Sequence, residues 1–148
     1  MYLLDTDILS NLLKRAPSTT LIAKLASVPI EQQFTSSIAL GELVYGAYRL
    51  QTRTNALLEQ LEKTLLPNLP VLPLDTTAAW RYGEVRAELE HRGTLIGDAD
   101  LRIGAIALAR GLTVVTGNVQ HFQRIPGLAV QNWLEERASI DDSSIASL

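Results

Sequence analysis

Any fold adopted by this chain has to accommodate three carboxylates, Asp5, Glu42 and Asp100, each of which interrupts a segment that is otherwise apolar or small. Asp5 ends the run Tyr2-Leu3-Leu4. Glu42 sits within Ser36 to Leu50, where Arg49 is the only other charge, and Asp100 opens the stretch Leu101 to Ala109, whose only charge is Arg102. A carboxylate among apolar neighbours is costly unless a cation compensates it, so three such placements point to one shared metal site.

Taken singly, Asp5 or Asp98 also reads as a helix cap, since Asp is among the favoured capping residues. A mid-helix Glu usually lies on a solvated face. Here, however, Ile38, Tyr45 and Gly46 share the face of Glu42, and a helix apolar nearly all round is a buried one. The expectation is therefore that all three acids lie on core elements.

Short strand signals alternate with helical ones. Tyr2-Leu3-Leu4 reads as a first strand, stopping at a helix that runs from Thr6 to Arg15; a second helix follows from Ser18 to Ser27. Gln33 to Thr35 is a strand candidate before the helix bearing Glu42. Leu57, Leu58, Leu61 and Leu65 place an amphipathic helix over Thr54 to Leu65, and the two helices form a hairpin around Arg49 to Arg53. Val71 to Leu74 is a strand that Pro73 confines to an edge or an end. A long helix from Thr76 or Thr77 to His91 closes at Gly93. The Asp100 helix ends at Gly111, Thr113 to Thr116 is the clearest strand, and a last strand lies near Leu128 to Val130. This alternation predicts an α/β fold with a mostly parallel central sheet of four to five short strands flanked by helices. Residues 1–137 are expected to form a single domain and 138–148 a flexible C-terminal tail, with four serines beyond Ala138.

Composition narrows the chemistry. At 148 residues and 47% hydrophobic, the chain has enough core to bury about two-thirds of its unfolded surface. Without cysteine there is no disulfide framework, thiol nucleophile or thiolate zinc site, and His91 and His121 alone make an imidazole-rich site implausible. A metal here must be held by oxygen, which points to Mg²⁺, with Mn²⁺ as an alternative. The opening Met-Tyr-Leu-Leu-Asp reaches a charge at once and no run approaches a membrane span, so a soluble, cytoplasmic protein is expected.

Distant acids converge readily in a parallel sheet, because ligands collect beyond the carboxyl ends of its strands, where Asp5 and Asn118 both fall. Two carboxylates about 4 Å apart repel by roughly 4 kcal/mol at an effective dielectric near 20, so a cluster of them demands a cation or shifted pKa values. A hydrated divalent ion with open positions suits hydrolysis of a phosphodiester.

Four motifs carry a family resemblance: Leu4-Asp5-Thr6-Asp7, Gly41-Glu42-Leu43-Val44-Tyr45-Gly46-Ala47, Ile96-Gly97-Asp98-Ala99-Asp100-Leu101-Arg102-Ile103-Gly104-Ala105, and Val115-Thr116-Gly117-Asn118-Val119-Gln120-His121-Phe122. In this order they resemble PIN-domain ribonucleases, specifically the VapC-type toxins of bacterial toxin-antitoxin pairs. The resemblance implies a Mg²⁺-dependent endoribonuclease in which Asp5, Glu42 and Asp100 are catalytic and hold the metal, with Asp98 as an additional acid. Asn118 stands where many relatives have Asp, leaving one metal held more tightly than a second. Asn118, Thr6 and Thr116 then read as secondary metal or water-orienting residues, with the two threonines open equally to hydrogen bonds with the acids and to local turn or cap contacts, and Asp7 is expected to cap the first helix. The resemblance also implies an RNA substrate and a VapB-like antitoxin whose basic tail reaches the acids and whose apolar helix fills a groove. Leu43, Val44 and Ala47 suit such a groove or a homodimer face.

The net charge of −3 and a pI near 5.3 run against nucleic-acid binding, so phosphate or antitoxin contacts must come from local cations: Lys14, Arg15, Arg49 and Arg102. Two other readings are open. Asp5-Thr6-Asp7 is also similar to the start of haloacid-dehalogenase-type phosphatases, with Asp5 as nucleophile, although Glu42 is then unexplained and no lysine lies near Asp98 and Asp100. Alternatively, Asn118 breaks the acid set and leaves a PIN-like interaction module without activity.

Overall fold

Leu3 and Leu4 are consecutive, and both are buried, at 0% and 2% exposure. Successive strand side chains point to opposite faces, so burial of both requires cover on both sides of the sheet. The computed structural model, which describes residues 1–134, provides it; the expected tail from 138 onward lies outside the described residues. Strands β1 (Tyr2–Leu4), β2 (Gln33–Ser36), β3 (Val71–Leu72), β4 (Thr113–Val115) and β5 (Val130–Gln131) form one sheet in the order β3-β2-β1-β4-β5. Every pairing is parallel.

Among the described residues seven α-helices accompany the strands: α1 (Thr6–Leu12), α2 (Thr19–Ala26), α3 (Ser37–Leu50), α4 (Thr54–Gln60), α5 (Thr76–His91), α6 (Asp98–Arg110) and α7 (Val119–Phe122). Leu3 and Val114 pack with Val85 and Leu89 of α5 and Ile103 and Ile106 of α6. Leu4 and Val115 face the other layer, with Ile8 and Leu9 of α1, Leu21 of α2, and Ala39 and Leu43 of α3. Side-chain caps set several helix starts: Ser18 Oγ accepts from Leu21 N, Ser36 Oγ from Ala39 N, and Asp75 Oδ1 from Ala78 N. Gly111, at φ +65°, ends α6 in the left-handed conformation.

Several boundaries differ from those expected. α1 stops at Leu12 rather than Arg15. The amphipathic segment is α-helical only to Gln60; it widens over Leu61–Leu65 and tightens over Leu66–Asn68, keeping Leu61 and Leu69 in the core. β3 ends at Leu72, before Pro73, on the sheet edge to which that proline confines it. The last strand is Val130–Gln131 instead of Leu128 to Val130.

The larger correction concerns α3, which is not buried all round. Leu43 and Ala47 belong to the chain's own core, so they are not a free docking face, whereas Tyr45 and Tyr48 are 66% and 62% exposed. A low count of charges does not imply burial: the tyrosines of α3 keep an amphipathic ring at the surface. Among the described residues no helix is long and apolar enough to cross a membrane.

Candidate active site

The sheet order places the switch point beside β1, whose neighbours β2 and β4 come from opposite halves of the chain. Ligands collect outside the carboxyl ends of strands at such a point. Asp5 is the first residue past β1, with its backbone N–H on Val115 O at 3.0 Å. It also caps α1, its Oδ1 accepting from Thr6 N at 2.8 Å, while Oδ2 accepts from the Thr116 hydroxyl at 2.8 Å. Thr116 Oγ1 in turn accepts from Asn118 N at 2.9 Å, so the loop after β4 grips Asp5 through one hydroxyl. Asp5 is only 5% exposed. Burial, and then the nearby Asp7 charge, push its pKa up to about 7 against the lowering effect of the Thr116 and Thr6 hydrogen bonds; Asp100 adds a smaller upward push.

Asp5, Thr6, Asp7, Ser10, Asn11, Lys14, Glu42, Asp100 and Asn118 line an open cleft of about 420 Å³. Helical periodicity explains α1's share: Asp7, Ser10, Asn11 and Lys14 follow the spacing i, i+3, i+4, i+7. Lys14 lies just past the helix, where its N–H still reaches Asn11 O at 3.1 Å. Glu42 approaches from α3, its side chain in solvent rather than in the core, and Oε1 accepts from the Thr6 hydroxyl at 2.7 Å. Asp7 does not cap α1, since Asp5 occupies that position. Its Oδ2 accepts from Gly117 N at 2.8 Å, and burial raises its pKa above the ordinary carboxylate value.

Asp100 enters from the first turn of α6. Its Oδ2 lies 3.3 Å from Asn118 Nδ2 and 3.2 Å from His121 Nδ1, and those two nitrogens are 2.7 Å apart. Asn118 thus turns its amide nitrogen toward the acid. His121 is a neighbour of Asp100 that composition hid: two histidines in the whole chain raise no metal signal, yet its place three residues after Asn118, in the short α7, brings it to Asp100.

Asp98 is not brought into the cleft. Two positions from Asp100 on the helix, it points elsewhere and bonds to the Tyr82 hydroxyl, to Arg102 Nε at 2.8 Å and to Arg86 Nη1 at 3.8 Å. Arg102 is thereby paired with Asp98, on the same side of α6. Arg49 lies over the Tyr45 ring at 5.7 Å from its centroid, and Arg15 is exposed outside the cleft lining, which leaves Lys14 as the cation among the lining residues.

Among the described residues no three Asp, Glu or His side chains already converge as a ligand set for one ion. The chemistry of the cleft still suits a hydrated hard cation. Its anionic donors are all carboxylate oxygens, burial raises the pKa of two of the carboxylates, Asp5 and Asp7, and Asp7 Oδ1 is buried with no hydrogen-bond partner. Mg²⁺ keeps several waters and needs only one or two direct carboxylates, so an open cleft fits it better than a closed cage.

Comparison with known proteins agrees with this architecture. The sequence profile of the PIN domain matches residues 2–128. The chain is 35% identical over 141 residues to Ribonuclease VapC2 of Rickettsia felis, covering 90% of this chain and 98% of that protein. It is 37% identical over 134 residues to the tRNA(fMet)-specific endonuclease VapC of Salmonella typhimurium, covering 89% and 97%. The crystal structure of FitAcB from Neisseria gonorrhoeae superposes with a TM-score of 0.85 at 33% identity, covering 92% of this chain and all (100%) of that one.

Proposed function

The chain belongs to the PIN domain family, among its VapC-type proteins, and on that premise we propose that it is a divalent-metal-dependent endoribonuclease acting as the toxin of a toxin-antitoxin pair. The observation that carries the reading is the meeting of Asp5, Glu42 and Asp100, from β1, α3 and α6, in one open cleft at the switch point of the sheet. Asp5, Asp100 and Glu42 would hold Mg²⁺ or Mn²⁺. When bound, the cation offsets charge on a phosphate oxygen and acidifies a water.

The chain's own groups supply the remainder. Thr6 N–H and the Thr116 hydroxyl fix both oxygens of Asp5, so its carboxylate cannot swing when a phosphate approaches. The Thr6 hydroxyl leaves Glu42 Oε2 available to accept the proton of an attacking water, and Lys14 donates to a phosphate oxygen at the rim. Water attacks phosphorus in line as its proton passes to Glu42 Oε2, the bond from phosphorus to the ribose oxygen breaks, and that oxygen takes a proton from solvent. A second concavity of about 510 Å³, lined by Gly117, Asn118, Val119, Gln120, Val130 and Asn132, shares Asn118 and gives room for flanking nucleotides. The antitoxin, as a protein partner, would add basic groups opposite the acids; exposed Tyr45, Tyr48 and Leu50 of α3 offer it, or a second copy of the chain, an apolar surface. A cytoplasmic location accords with a ribonuclease acting on cellular RNA.

The PIN domain match sets the phosphatase reading aside. The test uses the purified chain with a mixed RNA substrate and Mg²⁺, with chelator as control. Cleavage is expected to need the metal and to be lost in Asp5→Asn and in Asp100→Asn, both still folded by circular dichroism. Undiminished cleavage in both variants would refute the site, and metal-dependent cleavage by the wild type excludes an inactive interaction module.

A further inference from the structure

Asp7 has one carboxylate oxygen that local structure leaves unused. Oδ2 is held by the Gly117 N–H at 2.8 Å, whereas Oδ1 is buried and has no hydrogen-bond partner. A buried acceptor without a donor is destabilising, and helix capping does not account for it because Asp5 caps α1. The backbone is shaped to admit this carboxylate. A Cβ at position 117 would stand 2.8 Å from Asp7 Oδ2 and 3.1 Å from Leu134 Cδ1, so glycine is what lets the loop after β4 close on Asp7. The next residue, Asn118, turns an amide nitrogen toward Asp100 and brings no charge.

Resting on the reading of the cleft as a divalent-cation site, we propose that Asp7 is a further anionic residue holding that cation, supplying from α1 the charge that Asn118 does not bring. The unpartnered Oδ1 is then compensated by the ion. The acid set becomes Asp5, Asp7, Glu42 and Asp100, four of the residues that line the cleft.

The test is calorimetric titration of the full chain with Mn²⁺, together with thermal melts with and without Mn²⁺, for the wild type, Asp7→Asn and Asp5→Asn. Asn at position 7 keeps an oxygen for the Gly117 N–H, so the fold is retained. Asp7→Asn is expected to weaken Mn²⁺ binding at least about tenfold and to shrink the Mn²⁺-induced rise in Tm. Its metal-free Tm should be equal or higher, because one of several neighbouring like charges is gone. Wild-type Mn²⁺ affinity in Asp7→Asn, with binding lost in Asp5→Asn, overturns the proposal and leaves the metal site standing. A lower metal-free Tm with unchanged affinity also overturns it, as a purely structural role. No Mn²⁺ binding by the wild type overturns both readings.

Discussion

Thr116 connects the strand that ends beside the cleft to the acid at its centre. Its hydroxyl donates to Asp5 Oδ2 and accepts from Asn118 N, so one buried oxygen orients the acid and anchors the loop carrying Asn118. Thr116→Val removes both bonds and leaves a buried acceptor and a backbone donor unpaired. We expect a loss of about 1–3 kcal/mol in stability, read by urea unfolding. Metal affinity should fall about 10- to 100-fold, as when a group orienting a ligand is removed. Thr116→Ser should restore most of both; equal damage from Ser and Val would mean that the two hydroxyl hydrogen bonds alone do not account for the role of Thr116. Apolar sequence neighbours single out Asp5, Glu42 and Asp100, and all three line the cleft, although Glu42 is exposed on α3 rather than buried. Asp7's place was not, because Asp5-Thr6-Asp7 offers two acids for one cap and only the backbone path decides which of them caps.

The first turn of α6 carries two acids with different surroundings. Asp100 faces the cleft, while Asp98 belongs to a surface cluster with Tyr82 and Arg86 of α5 and Arg102 one turn along α6. Both arginines also lie over the Tyr82 ring, at 6.0 and 5.9 Å from its centroid. Exposed ion pairs contribute little, so Asp98→Asn should cost no more than about 1 kcal/mol. It should leave Mn²⁺ affinity within about twofold, whereas Asp100→Asn loses binding, both measured by calorimetry. Equal losses would return Asp98 to the metal site. Sequence spacing shows that the two acids differ by about 200° around the helix. It does not show which side meets the cleft, because that depends on how α6 rolls against α5 and β4.

On the scale of the whole molecule, the metal-free protein stores electrostatic cost at the mouth of its sheet. Burial pushes the folded pKa of Asp5 up to about 7, above the ordinary carboxylate value of 3.8 that an unfolded chain approaches. The folded state therefore holds the proton more tightly. Its contribution to stability is complete below about pH 4 and is lost as pH rises through 7, by at most on the order of 4 kcal/mol. Burial shifts Asp7 in the same direction. With chelator, Tm should fall between pH 5 and pH 8. Asp5→Asn should flatten that slope and raise Tm at pH 8; a wild-type Tm that increases over this range would contradict the electrostatic account. By itself, the sequence determined the α/β alternation, the parallel sheet, most helix starts and the three acids set among apolar residues, because hydrophobic periodicity, capping residues and prolines act within a few positions. Only the tertiary structure decided that α3 exposes its tyrosines, that Asp98 lies outside the cleft, that Asp7 lines it and that His121 meets Asp100. Those outcomes depend on helix rotation and on contacts between segments as far apart as Asp7 and Gly117, which no local pattern encodes.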